Sequence, residues 1–271
     1  MLSHPLLVDA AETLFVPVAV YNNVGGEDRK VLEAFGEPTW NNPVVRALGP
    51  DGKAIAPRLA GDYSVGGLAR TMLKALEARG TTAPFWLAQL APATLERATF
   101  GMHCFWEGEV RLGQLAGVVD TRTGWLGGTE VVELRYDPKR ISYAKLLAQA
   151  QSLRCATRVF THSAEQLELA RKAVGERALA HPGALRATPK DDSYRLKRSP
   201  LRFVPTTPAQ ATKLNAAVAG GQDPRPFLAP RQLRLLEAIE ARPKAGWAVA
   251  IGVSDLAAAL EAAETLARAG R

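Results

Sequence analysis

The sequence predicts an α/β protein built from more than one domain. The chain has 271 residues, of which 47% are hydrophobic, and this length exceeds that of most single domains. Short segments rich in β-branched and aromatic residues alternate with longer segments whose apolar residues recur at helical spacing. A last stretch is rich in proline and basic residues. Changes in this pattern divide the chain into residues 1–80, 81–94, 95–181 and 182–271.

The first region predicts a domain with helices and strands in the order α-β-α-β-β-α. Helices are predicted over 5–14 and 27–35, strands over 15–21 and 44–48 and after the turn at 50–53, and a last helix between Ser64 and Gly80. This order resembles a thioredoxin fold that lacks its first strand. Pro43 resembles the cis-proline of such folds, and a trans proline that opens an edge strand is the alternative. The region has no Cys-x-x-Cys motif, which excludes dithiol chemistry.

Residues 81–94 contain two prolines and are predicted to be a linker. The third region then predicts a split β-α-β plait with an added helix. Its predicted elements are strands over 98–103, 118–125, 130–136 and 156–161, a helix over 105–115, and two helices that Ser142 and Ser163 cap and that run to about residues 153 and 180. After Pro182, two short helices are predicted to begin at Thr207-Pro208 and Pro230, and Ser254 is predicted to cap a terminal helix.

Composition excludes several classes of protein. Two cysteines cannot form a disulfide framework or a site with four thiolate ligands. No stretch of about 18 uncharged apolar residues predicts a membrane span, and the N-terminus lacks the basic start of a signal peptide. We therefore expect a cytoplasmic protein with reduced thiols and no membrane partner.

The net charge of +7 arises in the C-terminal third. Residues 171–242 contain 14 Lys and Arg against 6 Asp and Glu, whereas the remaining residues sum to −1. Aromatic residues hardly interleave with these basic residues, which disfavours a groove for single-stranded nucleic acid. A solvated face or a site for an acidic partner is the favoured interpretation.

The segment 101–109, Gly-Met-His-Cys-Phe-Trp-Glu-Gly-Glu, is the predicted reactive site. Cys104 stands where a strand ends and a helix begins, and the helix N-terminus favours a thiolate there. Glu109 follows Phe105 by four residues and Trp106 by three, so one helix face carries both aromatic rings and an acid. These groups suit attack on a weakly polar substrate that needs a proton. A cysteine buried in the core is the alternative.

This segment resembles the Gly-Cys-Phe-Trp-Gly-x-Glu signature of the peptide-methionine (S)-S-oxide reductases, the A-type methionine sulfoxide reductases. The resemblance continues over about 80 residues, with the family's further motifs in the same order along the chain. Residues 123–128, Thr-Gly-Trp-Leu-Gly-Gly, resemble the family's Gly-Tyr-x-Gly-Gly, and residues 129–138 resemble its His-Ala-Glu-x-Val…Tyr-Asp-Pro strand. The resemblance implies a methionine sulfoxide reductase-like plait in the third region.

The resemblance also implies roles for individual residues. Cys104 would attack the sulfoxide sulfur, Glu109 would protonate the oxygen, and Phe105 and Trp106 would hold the S-methyl group. A second thiol would resolve the sulfenic acid left on Cys104, and Cys155 is the candidate within the chain, against the alternative that it is a packed core residue. No cofactor is implied beyond an external thiol or thioredoxin-type reductant. The implied partner is methionine sulfoxide, free or in peptides.

Two departures from the family pattern affect the predicted site. Trp125 replaces the family's tyrosine, and the long loop before the strand of Glu130 is absent together with its oxygen-holding donors. We expect Trp125 and Glu130 to bind substrate. Either Glu109 acts alone, or Tyr194, with the neighbouring Asp191 and Asp192, replaces the missing donors. No metal site is predicted, because the histidines and cysteines lack the usual ligand spacing. The alternative function is a binding protein, or a thiol oxidoreductase with another substrate, on the same scaffold.

The start of the chain carries a further hypothesis. A thioredoxin-like domain has its redox motif directly before the helix predicted to begin at Pro5. The arrangement faintly resembles bacterial thioredoxin-like selenoproteins of the VPGUxxT type. We therefore expect a truncated form that starts after an in-frame selenocysteine codon, a hypothesis that the upstream DNA tests.

Overall fold

The computed structural model describes residues 2–40, 43–91 and 94–269. The chain forms two compact units, residues 1–92 (unit 1) and residues 93–271 (unit 2). No helix among the described residues is long and apolar enough to cross a bilayer.

Unit 1 is helical in the part that the structure describes. Its helices are α1 (Pro5–Leu14), α2 (Glu27–Ala34), α3 (Val65–Ala78) and α4 (Phe85–Ala88). As predicted, Ser64 caps α3, and its side chain accepts a hydrogen bond from the Gly67 backbone N–H at 2.9 Å. Helix α4 lies within the predicted linker, yet it packs against α1 and α3 and buries Trp86 and Leu87. That part of the linker prediction is therefore wrong.

The strand predicted over residues 15–21 is also wrong. The segment has no regular structure, and Val16 and Val18 are 89% and 79% exposed. The other two predicted strands are reduced to isolated bridges, Val45 to Leu59 and Leu48 to Ala54. The described residues of unit 1 thus form no thioredoxin-like sheet, because β-rich segments become strands only where a neighbour pairs with them. The peptide bond before Pro43 involves Asn42, which lies outside the described residues.

Unit 2 contains the predicted split β-α-β plait. The plait consists of β1 (Glu96–Met102), α5 (Phe105–Gly113), β2 (Val118–Leu126), β3 (Thr129–Tyr136), α6 (Tyr143–Ser152), β4 (Arg158–Thr161) and α7 (Ala164–Val174). Strands β1 and β2 both run antiparallel to β3, which lies between them, so α5 connects two parallel strands that a third separates. The predicted caps Ser142 and Ser163 accept the backbone N–H groups of Lys145 and Gln166.

Helix α7 ends earlier than predicted. Gly175, with φ of +60°, stops it, and β5 (Ala178–Ala180) follows and pairs in parallel with β4. The prediction that this helix extends to residue 180 is therefore wrong. The full sheet has the order β5-β4-β1-β3-β2-β6, where β6 (Arg186–Ala187) comes from the C-terminal region.

The C-terminal region belongs to the same compact unit, which corrects the boundary predicted between residues 181 and 182. Its helices are α8 (Pro208–Ala219), α9 (Pro230–Ala241) and α10 (Leu256–Arg268). Helix α8 packs against α5 and β2, and the buried Lys213 ammonium on α8 donates hydrogen bonds to the carbonyl oxygens of Gly113 and Leu115 at the end of α5. Thr207 caps α8 as predicted, whereas Asp255 rather than Ser254 caps α10.

Candidate active site

Cys104 stands at the junction between β1 and α5, as the sequence predicts. It is the N-cap residue of α5, with extended backbone angles, and its thiol is free and exposed. The thiol opens on a cavity of about 400 Å³. The residues that line this cavity are Cys104, Phe105, Trp106, Trp125, Glu130, Arg186, Thr188, Lys190 and Asp191. The structure thus brings together five of the predicted site residues.

Glu130 reaches the cavity because of the register of the sheet. It pairs with Met102 across β1 and β3, so its backbone lies beside the end of β1, two residues before Cys104. Its Oε2 accepts a hydrogen bond from the Phe105 backbone N–H at 2.8 Å. The carboxyl group of Glu130 and the thiol of Cys104 therefore meet at the N-terminus of α5.

Three aromatic rings form an apolar wall of the cavity. The rings of Phe105 and Trp125 meet edge to face with centroids 5.9 Å apart, and those of Phe105 and Trp106 are 6.0 Å apart. Phe105 is buried, and both tryptophans are partly exposed. The wall suits a small apolar group such as an S-methyl.

A segment of the C-terminal region that contains the predicted residues 191, 192 and 194 packs against the site. Asp191 Oδ1 accepts a hydrogen bond from Trp106 Nε1 at 3.3 Å. Asp192 Oδ1 accepts from the backbone N–H and the hydroxyl of Thr123, at 2.6 and 2.8 Å. The Tyr194 ring stacks on Trp106 with centroids 4.0 Å apart and an angle of 16° between the planes. Tyr194 does not line the cavity, so its position supports Trp106 and does not present a hydroxyl donor to substrate.

This position of Tyr194 gives a first prediction. We expect the Tyr194→Phe variant to reduce a sulfoxide substrate within about two-fold of the wild-type rate, because the ring alone stacks on Trp106. Tyr194→Ala should lower kcat/KM by roughly five- to ten-fold, since stacked aromatic pairs contribute about 1 kcal/mol. Steady-state kinetics of the two variants measures kcat/KM and shows whether activity needs the ring of Tyr194 or its hydroxyl. Loss of activity in Tyr194→Phe would instead assign a role to the hydroxyl.

Glu109, the predicted proton donor, does not line the cavity. The side chain is 1% exposed and lies between α5 and the C-terminal region. Its Oε2 accepts hydrogen bonds from the Ser193 backbone N–H at 2.8 Å and from Asn215 Nδ2 at 3.2 Å, and its Oε1 is hydrogen-bonded to the Thr121 hydroxyl at 3.3 Å. Burial, reinforced by the charge of Asp192, raises the pKa of Glu109 to about 8.

Glu109 should therefore make the stability of the protein depend on pH. Its pKa in the folded state exceeds the ordinary value of 4.5. Its contribution to the free energy of unfolding is therefore fully present below pH 4.5 and falls as the pH rises through about 8. The loss is about 3 kcal/mol at pH 7. Glutamine keeps the shape and stays neutral, so we expect Glu109→Gln to remove this loss.

Urea unfolding of both proteins between pH 5 and pH 8 measures this effect. The difference in free energy of unfolding between Glu109→Gln and wild type should grow with pH in favour of the variant. Taking the difference removes the contributions of other titrating groups, among them Lys213, whose pKa burial lowers to about 8. A difference that does not change with pH would mean that Glu109 is ionised in the folded protein.

Cys155 is a core residue, as the packed alternative predicted. It is 3% exposed, and its thiol donates a hydrogen bond to the Leu153 carbonyl oxygen at 3.4 Å. Burial raises the pKa of this thiol to about 11. Because a buried, protonated thiol is a poor nucleophile, the structure does not favour the predicted resolving role for Cys155.

One group of described residues has the composition of a metal site outside the cavity. The ligand atoms of Glu133, His162 and His181 lie within 4.8 Å of one another. The Nδ1 atom of His181, however, accepts a hydrogen bond from the Gly183 backbone N–H. The neutral ring therefore carries its proton on Nε2, the atom that faces Glu133, and this tautomer offers no lone pair to a metal there.

Sequence reasoning did not identify three cavity residues, Arg186, Thr188 and Lys190. They reach the cavity because β6 pairs with the outer edge of β2, opposite Gly124 and Trp125. A strand of two residues leaves no periodic pattern, so the only advance signal was the basic surplus of the region.

No protein-family model matches the chain. A segment of about 70 residues is similar to enzymes named peptide methionine sulfoxide reductase MsrA. It is 41% identical over 70 residues to the enzyme of Geobacter metallireducens, which covers 20% of this chain and 43% of that protein. It is 40% identical over 67 residues to the enzyme of Thermoactinomyces vulgaris, with 18% and 54% covered. A peptide methionine sulfoxide reductase of Drosophila melanogaster is 42% identical over 67 residues, with 20% and 27% covered. The chain spans about half the length of the first two relatives, and it contains an MsrA-like domain.

Proposed function

We propose that this protein reduces methionine sulfoxide, free or in peptides, with Cys104 as the nucleophile and an external thiol as the reductant. The observation that carries the proposal is that an exposed thiol and a carboxyl group, those of Cys104 and Glu130, line one cavity with three aromatic rings. The similarity of the MsrA-like domain to peptide methionine sulfoxide reductases supports the same reaction.

In the first step the Cys104 thiolate attacks the sulfoxide sulfur, whose methyl group packs against Phe105 and Trp106. Glu130 supplies the proton that the sulfoxide oxygen needs as it leaves the substrate. The attack forms a transient bond between the two sulfur atoms. This bond and the sulfur–oxygen bond of the substrate then break as the protonated oxygen passes to the Cys104 sulfur, where it becomes the hydroxyl of a sulfenic acid. The substrate sulfur is reduced by two electrons to a thioether, and the cysteine sulfur is oxidised by two.

We assign the role of proton donor to Glu130 because of the position of its two carboxyl oxygens. Its Oε2 is held by the Phe105 backbone N–H, and its Oε1 makes no hydrogen bond with a described residue. Glu109, by contrast, has both oxygens bonded to Ser193, Asn215 and Thr121 behind the helix. A proton donor must come within hydrogen-bond reach of the oxygen that receives the proton, and only Glu130 of these two lines the cavity.

The sulfenic acid returns to a thiol at the expense of two thiols of the reductant. The first attacks the Cys104 sulfur, releases water and leaves a mixed disulfide. The second displaces Cys104 and closes the disulfide of the reductant. Because Cys155 is buried in the core, both thiols come from an external dithiol or a thioredoxin-type protein.

Turnover with excess dithiothreitol tests the proposed function. The protein should convert the S diastereomer of N-acetyl-methionine sulfoxide to N-acetyl-methionine, and the R diastereomer is the matched control. If neither is reduced while Cys104 still reacts with a thiol probe, the proposal is wrong. The scaffold would then be a binding protein or a thiol oxidoreductase with another substrate.

A further inference from the structure

The wall that the C-terminal region adds to the cavity is strongly basic. Residues 186–202 contain six Lys and Arg against two acids, Asp191 and Asp192. Both acids are engaged within the protein, Asp191 by Trp106 Nε1 and Asp192 by Thr123. Six basic residues against two acids leave this segment with a net charge of +4.

Two of these cations line the cavity itself. Arg186 is fixed by β6, where it stands directly opposite Trp125, and its guanidinium carbon lies 5.6 Å from the centroid of the indole ring. Lys190 follows in the turn after β6. Both side chains are exposed, and neither forms an ion pair with a described residue.

We infer that Arg186 and Lys190 bind a carboxylate of the substrate. The preferred substrates are methionine sulfoxides with a carboxylate close to the oxidised side chain, either an acidic neighbour in a peptide or the α-carboxylate of the oxidised residue. The inference rests on the proposed function. A guanidinium matches a carboxylate with two parallel hydrogen bonds, and a nearby ammonium adds a point charge.

Glu130 and Asp191 also line the cavity, but neither forms an ion pair with Arg186 or Lys190 in the described part of the chain. They accept hydrogen bonds from the Phe105 backbone N–H and from Trp106 Nε1, on the side of α5. The cavity therefore has acids beside α5 and two cations without ion pairs on β6 and in the turn after it, so an acidic substrate group is expected there.

The test compares peptides that differ only in charge. We expect wild type to reduce acetyl-Glu-Met(O)-Glu-amide with about ten-fold higher kcat/KM than acetyl-Gln-Met(O)-Gln-amide, since each exposed cation contributes a few-fold. Added salt should shrink this ratio.

The double variant Arg186→Gln, Lys190→Gln should bring the ratio to about one. The control Lys145→Gln removes one charge from the exposed face of α6 and should leave the ratio unchanged. Equal kcat/KM values with wild type, both for these two peptides and for the α-carboxylate pair described next, would overturn the inference.

A second pair of substrates distinguishes the source of the carboxylate. N-acetyl-methionine sulfoxide carries an α-carboxylate, and its amide does not. A preference in this pair alone assigns the cations to the oxidised residue itself, and a preference in the peptide pair assigns them to its neighbours.

Failure of the proposed function remains distinguishable from failure of this inference. Binding of the two peptides to the Cys104→Ser variant, followed by tryptophan fluorescence, requires no turnover. Tighter binding of the acidic peptide, lost in the Arg186→Gln, Lys190→Gln background, supports the inference even if no sulfoxide is reduced. Equal binding of the two peptides, together with equal binding of N-acetyl-methionine sulfoxide and its amide, contradicts it.

Discussion

The Cys104→Ser variant is expected to lose methionine sulfoxide reduction by at least about 10⁴-fold, to the level of dithiothreitol alone. A serine hydroxyl is not ionised near neutral pH and does not attack sulfur, so no sulfenic acid forms. The fold should be unchanged, because the side chain is exposed at the N-cap of α5 and serine is a favoured N-cap residue. Chromatographic measurement of the methionine product gives the rate.

Cys155→Ala is the matched control for this prediction. It removes the other cysteine, which is buried in the core, and should keep turnover with dithiothreitol within a few-fold of wild type. Without reductant, wild type and Cys155→Ala should each form about one methionine per chain, with a sulfenic acid trapped on Cys104. Turnover that survives in Cys104→Ser would contradict the assignment of the nucleophile.

Glu130→Gln should lower kcat/KM by about 10² to 10³-fold, the range observed when a positioned proton donor or a donor to a developing oxyanion is removed. Glutamine keeps an oxygen for the Phe105 backbone N–H, so the start of α5 stays in place, but it carries no proton to deliver. The loss should therefore appear in kcat more than in KM.

Glu109→Gln is the matched comparison, with the same chemical change at the neighbouring acid. We expect its kcat/KM to stay within about three-fold of wild type, because Glu109 is buried and does not line the cavity. Circular dichroism of both variants controls for folding. The reverse result, with Glu109→Gln inactive and Glu130→Gln active, would restore Glu109 as the proton donor.

The sequence by itself determined the local features of unit 2. The end of β1, the start of α5 at Cys104 and the caps at Ser142, Ser163 and Thr207 agree with the structure. Each depends on hydrogen bonds between residues a few positions apart, so a short stretch of sequence contains all the interacting groups. Cys104, Phe105 and Trp106 follow one another in the chain, so the sequence also places the proposed nucleophile beside its aromatic neighbours.

Only the tertiary structure decided which acid faces the thiol. Glu109 follows Cys104 by five residues and turns behind the helix, whereas Glu130 reaches the cavity through the pairing of β3 with Met102 on β1. Three other features also depend on distant parts of the chain. Arg186 joins the sheet edge beside β2, Tyr194 stacks on Trp106, and residues 15–21 form no strand because no described segment pairs with them. Pairing between distant segments depends on which partners the folded chain brings together, and no periodicity in a single segment encodes that choice.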